Sequence, residues 1–351
     1  MKFLTVIGAR PQFIKAAPVS RELRQEHQEI YIHTGQHYDA NMSDIFFDEL
    51  NIPKPDYHLN VGSSSHGKQT AAMLDGIEGI ILQEKPDYLL VYGDTNSTIA
   101  GAMAAAKLHI PVIHIEAGLR SFNKKMPEEI NRIMTDHISE YLFCPTETAV
   151  DNLANENISE NVFNVGDVMY DAVKYNLELS QEKSQILETL GLSKDDYYLI
   201  TIHRAENTDN ETNIKNILEA FSRIEGKKVW PIHPRTRNIL AKMGIDLATI
   251  PGLQIIDPVG YLDILALEGG AKKILTDSGG MQKEAYFLQK PCVTLREQTE
   301  WVETLQGDAN ILVGTDVEKI VEAVNRDVNP NYQELFGDGF ASKKIVNHFR
   351  N

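Results

Sequence analysis

Only two cysteines, Cys144 and Cys292, occur in 351 residues, each alone in an apolar run, and the chain has no CxxC pair. That excludes a thiolate zinc site and a disulfide framework, and both thiols read as small core residues in a reducing compartment. No apolar stretch reaches the roughly 20 residues that span a bilayer. The run at MKFLTVIGARPQ is cut by Arg10 before a signal-peptide core forms, so it reads as a buried first strand and the protein as cytoplasmic. Basic charge is also scarce: 34 Lys and Arg stand against 50 Asp and Glu, a formal net charge of -16. A surface of that sign argues against general binding to nucleic acid or anionic membrane. It leaves room for a small anion, which a local cluster of Arg, Lys and helix N-termini can hold. Neither GxGxxG nor HExxH occurs, which disfavours a nicotinamide-binding turn and a metalloprotease-type metal site; no metal or cofactor is expected.

What the chain does have is enough apolar residue to build a core, 42% against 24% charged, and enough length for about two domains. Short apolar runs alternate with helix-periodic stretches. The expected strands are Phe3–Ile7, Ile30–His33, Tyr88–Tyr92, Val112–Ile115 and Tyr141–Cys144, then Tyr198–Ile202, Val229–Ile232, Gln254–Ile256, Lys273–Thr276 and Cys292–Leu295. Most are continuous rather than alternating, as parallel strands covered on both faces are. Ile99, Ala102, Met103 and Ala106 follow helical spacing, as do Ile214, Ile217, Leu218 and Phe221. The pattern runs twice, with a polar helical connector from Tyr175 to Leu190. The expectation is therefore an α/β protein of two Rossmann-like, doubly wound domains facing a cleft. Residues 1–170 form the first, 171–334 the second, and 335–351 a helix crossing back to the first.

Open α/β sheets bind ligands beyond the carboxyl ends of their strands, and the residues there are rich in charge. Arg10 and Lys15 follow the first strand and can face an anion over a helix N-terminus. Asp94 and Glu116 stand at strand tips and Glu128 at a helix start. Three carboxylates crowded in one cleft raise one another's pKa and make a proton donor or acceptor near pH 7. The plainer roles are an N-cap for Asp94, before the helix at Ser97, and a first-turn dipole partner for Glu128. In the second half, His203 and Arg204 follow a strand and suit phosphate contact. Ser278-Gly279-Gly280 runs from a strand into a helix, so a phosphate can approach free backbone N–H groups, and Glu284 can accept hydrogen bonds from a ribose.

In order along nearly the whole chain stand GARPQFIK at Gly8–Lys15, TGQHYD at Thr34–Asp39, GDTNST at Gly93–Thr98 and IEAGLRS at Ile115–Ser121. PEEINR at Pro127–Arg132, HRAEN at His203–Asn207 and DSGGMQKEA at Asp277–Ala285 follow. Together they resemble the non-hydrolysing UDP-N-acetylglucosamine 2-epimerase family. The resemblance implies a glycosyltransferase-B architecture, a homodimer and a UDP-sugar substrate. It implies a reaction in which UDP is eliminated from C1 as the C2 proton is lost, and is then added back after reprotonation on the other face. By motif match Asp94, Glu116 and Glu128 are the acid/base candidates, with His203 in the catalytic set. Arg10, Lys15, His203 and Arg204 match diphosphate or sugar contacts, and Ser278, Gly279, Gly280 and Glu284 the UDP site.

Some residues depart from the UDP-GlcNAc members. Gln12-Phe13 stands where they usually have Glu-Ala, Asp39 replaces a Gln of the bacterial activator site, and Trp301 replaces a substrate-contacting Arg. These variants, with DPVGYL at Asp257–Leu262 and HPRTR at His233–Arg237, resemble the subgroup acting on UDP-2,3-diacetamido-2,3-dideoxyglucuronate in bacterial surface-polysaccharide synthesis. Loss of a Glu beside Arg10 is expected to favour a C6 carboxylate, and Trp301 to stack on an acetamido methyl. A glycosyltransferase of the same fold keeps the UDP cradle but has no use for acid/base groups on both sugar faces.

Overall fold

The computed structural model describes residues 1–36 and 52–350. The side chain of Arg10 and residues His37, Tyr38 and Asp39 lie outside the described residues. The chain divides into two compact units, Met1–Lys174 with Glu334–Asn351, and Tyr175–Gln333.

The first unit holds a seven-stranded sheet in the order β3-β2-β1-β4-β5-β6-β7. Its strands are β1 (Lys2–Ile7), β2 (Gln28–His33), β3 (Tyr57–His58), β4 (Tyr88–Tyr92), β5 (Val112–Ile115), β6 (Tyr141–Cys144) and β7 (Val162–Asn164). The second unit's sheet runs β10-β9-β8-β11-β12-β13. It comprises β8 (Tyr197–Thr201), β9 (Lys227–Pro231), β10 (Leu253–Ile256), β11 (Lys273–Thr276), β12 (Cys292–Thr294) and β13 (Asn310–Leu312). Every pairing is parallel. Both sheets are therefore α/β and doubly wound, and strand order reverses between β1 and β4 and again between β8 and β11. Those two reversals are where such sheets open a crevice for a ligand.

The continuous apolar strands are buried on both faces, as parallel packing requires. Leu4, Val6, Leu89 and Val91 pack on Met73, Ile77 and Ile81 of the helix His66–Glu84. In the second unit Ile200, Leu275 and Val293 pack on Ile214, Ile217 and Phe221 of the helix Glu211–Arg223. Each such side chain contributes about 1.5–3 kcal/mol of burial. The helix Asn96–Lys107 departs from the expected single apolar face. Ile99, Ala100, Gly101, Ala102, Ala104 and Ala105 are all buried, while Met103 and Ala106 are half-buried. Its small residues let it lie close on the sheet: a Cβ on Gly101 would stand 3.2 Å from Val91 and 3.3 Å from Val6.

The helix Ala341–Asn347 returns to the first unit. Asp171 accepts from the backbone N–H groups of Ala341 (3.0 Å) and Ser342 (2.8 Å) and from the Ser342 hydroxyl (2.6 Å). Beyond it the Phe349 ring meets Phe3, Tyr88 and Tyr141 at centroid distances of 5.1–5.4 Å. Among the described residues no helix is long and apolar enough to cross a membrane.

Candidate active site

At the first reversal, β1 turns through Gly8 and Ala9 into the helix Arg10–Leu23. The Gln12 amide locks this turn. Its Oε1 accepts from the N–H groups of Gly8 (2.8 Å) and Ala9 (3.1 Å), and its Nε2 donates to the Tyr92 carbonyl (2.9 Å) and Thr98 Oγ1 (3.1 Å). Gly8 admits no side chain: a Cβ there would lie 2.1 Å from Thr34 Oγ1 and 2.2 Å from Ser97 Oγ. Gln12 and Phe13 are both buried. The helix turns them inward, while Lys15 faces the strand tips.

Lys15 Nζ lies 2.6 Å from Glu116 Oε1. Glu116 follows β5 with φ +69°, a left-handed conformation that costs a residue with a Cβ about 1–2 kcal/mol. The N–H groups of Glu116 and Ala117 both donate to the Phe143 carbonyl at 3.1 Å and hold the turn. Asp94, after β4, meets Arg132 at 2.6 Å, and Arg132 also binds Glu129 at 2.8 Å. Asn131 Nδ2 donates to the Asp94 carbonyl (2.9 Å). Burial raises the Asp94 pKa; Arg132 and Lys15 oppose the rise, and Glu116 and Glu128 add to it.

Glu128, exposed near the start of the helix Pro127–Ile138, lines a cavity of about 310 Å³ with Asp94, Asn96, Asn131, His66 and Gln69. Its neighbour Glu129 is the structural one of the pair. It is buried and accepts from the N–H groups of Ser121 (2.9 Å) and Phe122 (2.8 Å). Burial alone would raise its pKa, but bonds from Ser121, Arg132 and Phe122 hold it below the usual range. The helix cap expected of Asp94 belongs to Thr95, which accepts from the Thr98 N–H. Asp94, Glu116, Glu128 and Lys15 thus gather at one end of the first sheet.

At the second reversal, the buried Asp277 carboxylate accepts from the N–H groups of His203 (3.1 Å) and Arg204 (3.1 Å) and from Asn207 Nδ2 (3.0 Å). It staples the turn after β8 to the tip of β11. Ser278 caps the helix Gly279–Phe287, accepting from the Met281 N–H. A Cβ on Gly279 would approach Glu300 Oε1 to 2.4 Å, whereas one on Gly280 would meet only Ser278 Oγ, at 3.8 Å. Glu300 lies 3.0 Å from Arg296 and 3.9 Å from Arg204. His203 is half exposed. Its partial burial lowers its pKa; Arg204, His233 and Arg235 act in the same direction and Asp277 against them.

Glu284 and Trp301 both lie in buried surroundings. Glu284 is buried and accepts from the Tyr261 hydroxyl (2.9 Å). Beside it, burial and the Glu284 charge push the Glu268 carboxyl well above the usual range. Trp301 is buried, with Lys283 Nζ 3.7 Å from its ring centroid. Arg132, Gln12 and Asp277 organise these turns although nothing in their spacing marks them. Each lies inside a quoted motif, and only the fold supplies its partner. Among the described residues no group of three or more His, Cys, Asp or Glu is placed to hold a metal ion.

Two doubly wound sheets, each with its charged residues and tight turns at the strand reversal, define an α/β enzyme of glycosyltransferase-B-like type. A family model for UDP-N-acetylglucosamine 2-epimerase matches residues 21–350. The chain is 58% identical to a UDP-N-acetylglucosamine 2-epimerase homolog of Methanococcus maripaludis, with 100% of each chain covered. It is 51% identical to the UDP-2,3-diacetamido-2,3-dideoxy-D-glucuronate 2-epimerase of Pseudomonas aeruginosa, with 99% of each covered. The crystal structure of Methanocaldococcus jannaschii UDP-GlcNAc 2-epimerase, in complex with UDP-GlcNAc and UDP, matches with a TM-score of 0.90 at 47% identity, covering 99% of each chain. The chain belongs to the UDP-N-acetylglucosamine 2-epimerase family and is an isomerase.

Proposed function

We propose that the enzyme inverts C2 of a UDP-N-acetylhexosamine by eliminating UDP and adding it back. The observation that carries this reading is the cluster of Asp94, Glu116 and Glu128 at one end of the first sheet, with Asp94's pKa raised by its burial. The C2 proton is not acidic, so departure of UDP from C1 leads and builds positive charge on the sugar. A carboxylate then takes the C2 proton, and the C–H electrons close a C1=C2 bond. In the reverse sense a carboxylic acid protonates C2 from the other face and a UDP phosphate oxygen returns to C1.

His203 and Arg204 hold the diphosphate, with the N–H groups at Ser278-Gly279-Gly280, and Glu284 takes the ribose. A neutral His203 in the free protein suits this role, since an arriving diphosphate favours its protonation. Incubation with a UDP-sugar in deuterated water is the test. Deuterium at C2 of the recovered sugar supports the reading; its absence with every UDP-HexNAc tried sinks it.

The favoured substrate is UDP-2,3-diacetamido-2,3-dideoxyglucuronate, for surface-polysaccharide synthesis, supported by the 51% identity to the Pseudomonas enzyme. Plain UDP-GlcNAc is the second reading. It is favoured by the 47% identity to the Methanocaldococcus enzyme. Side-by-side kcat/KM decides between them: a preference for UDP-GlcNAc rejects the diacetamido-uronate and leaves the reaction intact. The same reading makes the enzyme a homodimer. Ile130, Met134 and Ile138, four residues apart and exposed on the helix Pro127–Ile138, are the apolar stripe a second copy would cover. Sedimentation of the Met134→Glu variant as a dimer would reject that face, and a monomeric unaltered protein would reject the dimer.

A further inference from the structure

Past β12 the chain folds back on the helix Gly279–Phe287, and two residues pin it there. Thr299 Oγ1 donates to Gln282 Oε1 at 2.7 Å and accepts from the Trp301 N–H at 3.1 Å. Trp301 is buried against Lys283, and its carbonyl accepts from the Thr304 hydroxyl at 2.7 Å. Glu300, between the two, is thereby carried to the first turn of the helix. A Cβ built on Gly279 would collide with Glu300 Oε1, and Trp301 Nε1 would stand 3.5 Å from it. The same Oε1 lies 3.9 Å from Arg204 Nη2, while Oε2 lies 3.0 Å from Arg296 Nη1. The Glu300 side chain is only 11% exposed. Its carboxylate thus has the surroundings of a bound phosphate: a helix N-terminus, a glycine without a Cβ, and two guanidinium groups.

We propose that Glu300 is an internal anion in the diphosphate cradle, and that UDP binds by displacing its carboxylate from Gly279 and Arg204. This rests on the cradle given to UDP above. The two occupants exclude each other on two counts. A phosphate reaches Gly279 only when Oε1 has moved away, since the carboxylate stands where even one added carbon does not fit. A carboxylate left beside a diphosphate also repels it, and in a partly buried site that repulsion is weakly screened. With Thr299 and Trp301 pinned, the backbone stays in place and the carboxylate leaves by side-chain rotation. Arg296, on the other oxygen, is the cation that neutralises it afterwards. The apparent affinity for UDP is then reduced by the fraction of molecules whose cradle is open. UDP has to stay through its departure from C1 and its return, yet leave with the finished sugar. A tethered competitor refills the cradle as the product goes, and so favours release.

The test is calorimetric titration of the full-length protein with UDP, beside a melting scan without nucleotide. Glu300→Gln keeps the size of the side chain and removes its charge. UDP should bind about tenfold more tightly, the gain from a cradle open in about one molecule of ten, and KM for the UDP-sugar should fall with it. The nucleotide-free variant should melt lower, because the helix N-terminus, Arg204 and Arg296 lose their anion. Opposite signs in the two measurements mark a competitor. Unchanged or weaker UDP binding in folded Glu300→Gln makes Glu300 a strut or a ligand and overturns the proposal. Should Glu300→Gln fail to fold, Glu300→Asp, one methylene shorter, draws the carboxylate back from Gly279 and is read the same way. Inorganic pyrophosphate separates this proposal from the UDP reading. If UDP binds neither protein but pyrophosphate binds the variant about tenfold more tightly, the UDP reading fails and the competing carboxylate stands. Pyrophosphate binding that is equally unaffected overturns both.

Discussion

The two units share one strand order and put their distinctive residues at the same reversal, yet they use opposite materials. The first builds with side-chain charge. Lys15 pairs with Glu116 and Arg132 with Asp94, so its carboxylates stand against cations. The second builds with backbone. Asp277 gathers the N–H groups of His203 and Arg204, and Ser278 caps a helix that opens on two glycines. Charges that titrate suit proton transfer, whereas fixed dipoles suit an anion that must be held and released unchanged. On the proposed reading one architecture serves two chemistries by what stands in the first residues past a strand.

That division is broken hardest at Asp94. Asp94→Asn should cut turnover by roughly a hundredfold or more, the usual loss for a general acid or base, and leave UDP binding nearly unchanged by calorimetry. Glu116→Gln and Glu128→Gln should do likewise, and near-normal turnover in all three would remove the mechanism. A carboxyl whose pKa rises on folding is protonated more readily in the native state. Native stability then falls as pH climbs from the unfolded value toward the raised one, and the cost persists above it. Asp94→Asn removes that cost, so its melting temperature at pH 7 should match or exceed that of the unaltered protein.

Gly280→Ala attacks the other material. A Cβ fits there without strain, so folding should hold or gain up to about 1 kcal/mol. UDP affinity should drop about tenfold as the phosphate loses its approach, on the scale of one charged hydrogen bond. Unchanged affinity would move the diphosphate elsewhere. Gly279→Val is the blunter probe, because Glu300 must shift as well.

Lys15→Met/Glu116→Gly separates stability from function. Left-handed strain of about 1–2 kcal/mol disappears, and replacing a buried ion pair is often neutral or stabilising. The variant should melt higher and be inactive; a lower melting point would show that the pair holds the fold together. Smallest of all, Asp171→Ala should lose about 1 kcal/mol, the worth of a helix cap, in denaturant titration, without altering KM.

Strands of four or more continuous apolar residues were legible in the sequence because burial on both faces leaves no room for alternation. β3, β7 and β13 were not, since each is two or three residues long and carries a polar residue; β12, also three residues, was found only because Leu295 extends its apolar run. The glutamates split in an instructive way. Glu128 and Glu129 are adjacent and chemically identical, and only the helix start decides that one lines a cavity while the other ties down Ser121 and Phe122. The inward turn of Gln12 and Phe13 was hidden for the same reason. Nearness to Arg10 in sequence says nothing about which side of the helix Arg10–Leu23 faces the core. Arg132 had no signal of its own, because an arginine on a helix acquires a role only when a strand tip arrives beside it.

Asp171 accepts hydrogen bonds from residues about 170 positions later, and Phe349 fills a ring of aromatics laid down near the start. On a ribosome the second unit, complete at Gln333, can close before the first has all its parts. A nascent chain stalled after that point should protect Tyr175–Gln333 from protease while cleavage continues in Met1–Lys174. Protection of the earlier stretch should follow only once the final helix has emerged. Synthesis order and folding order would then run opposite ways in this chain.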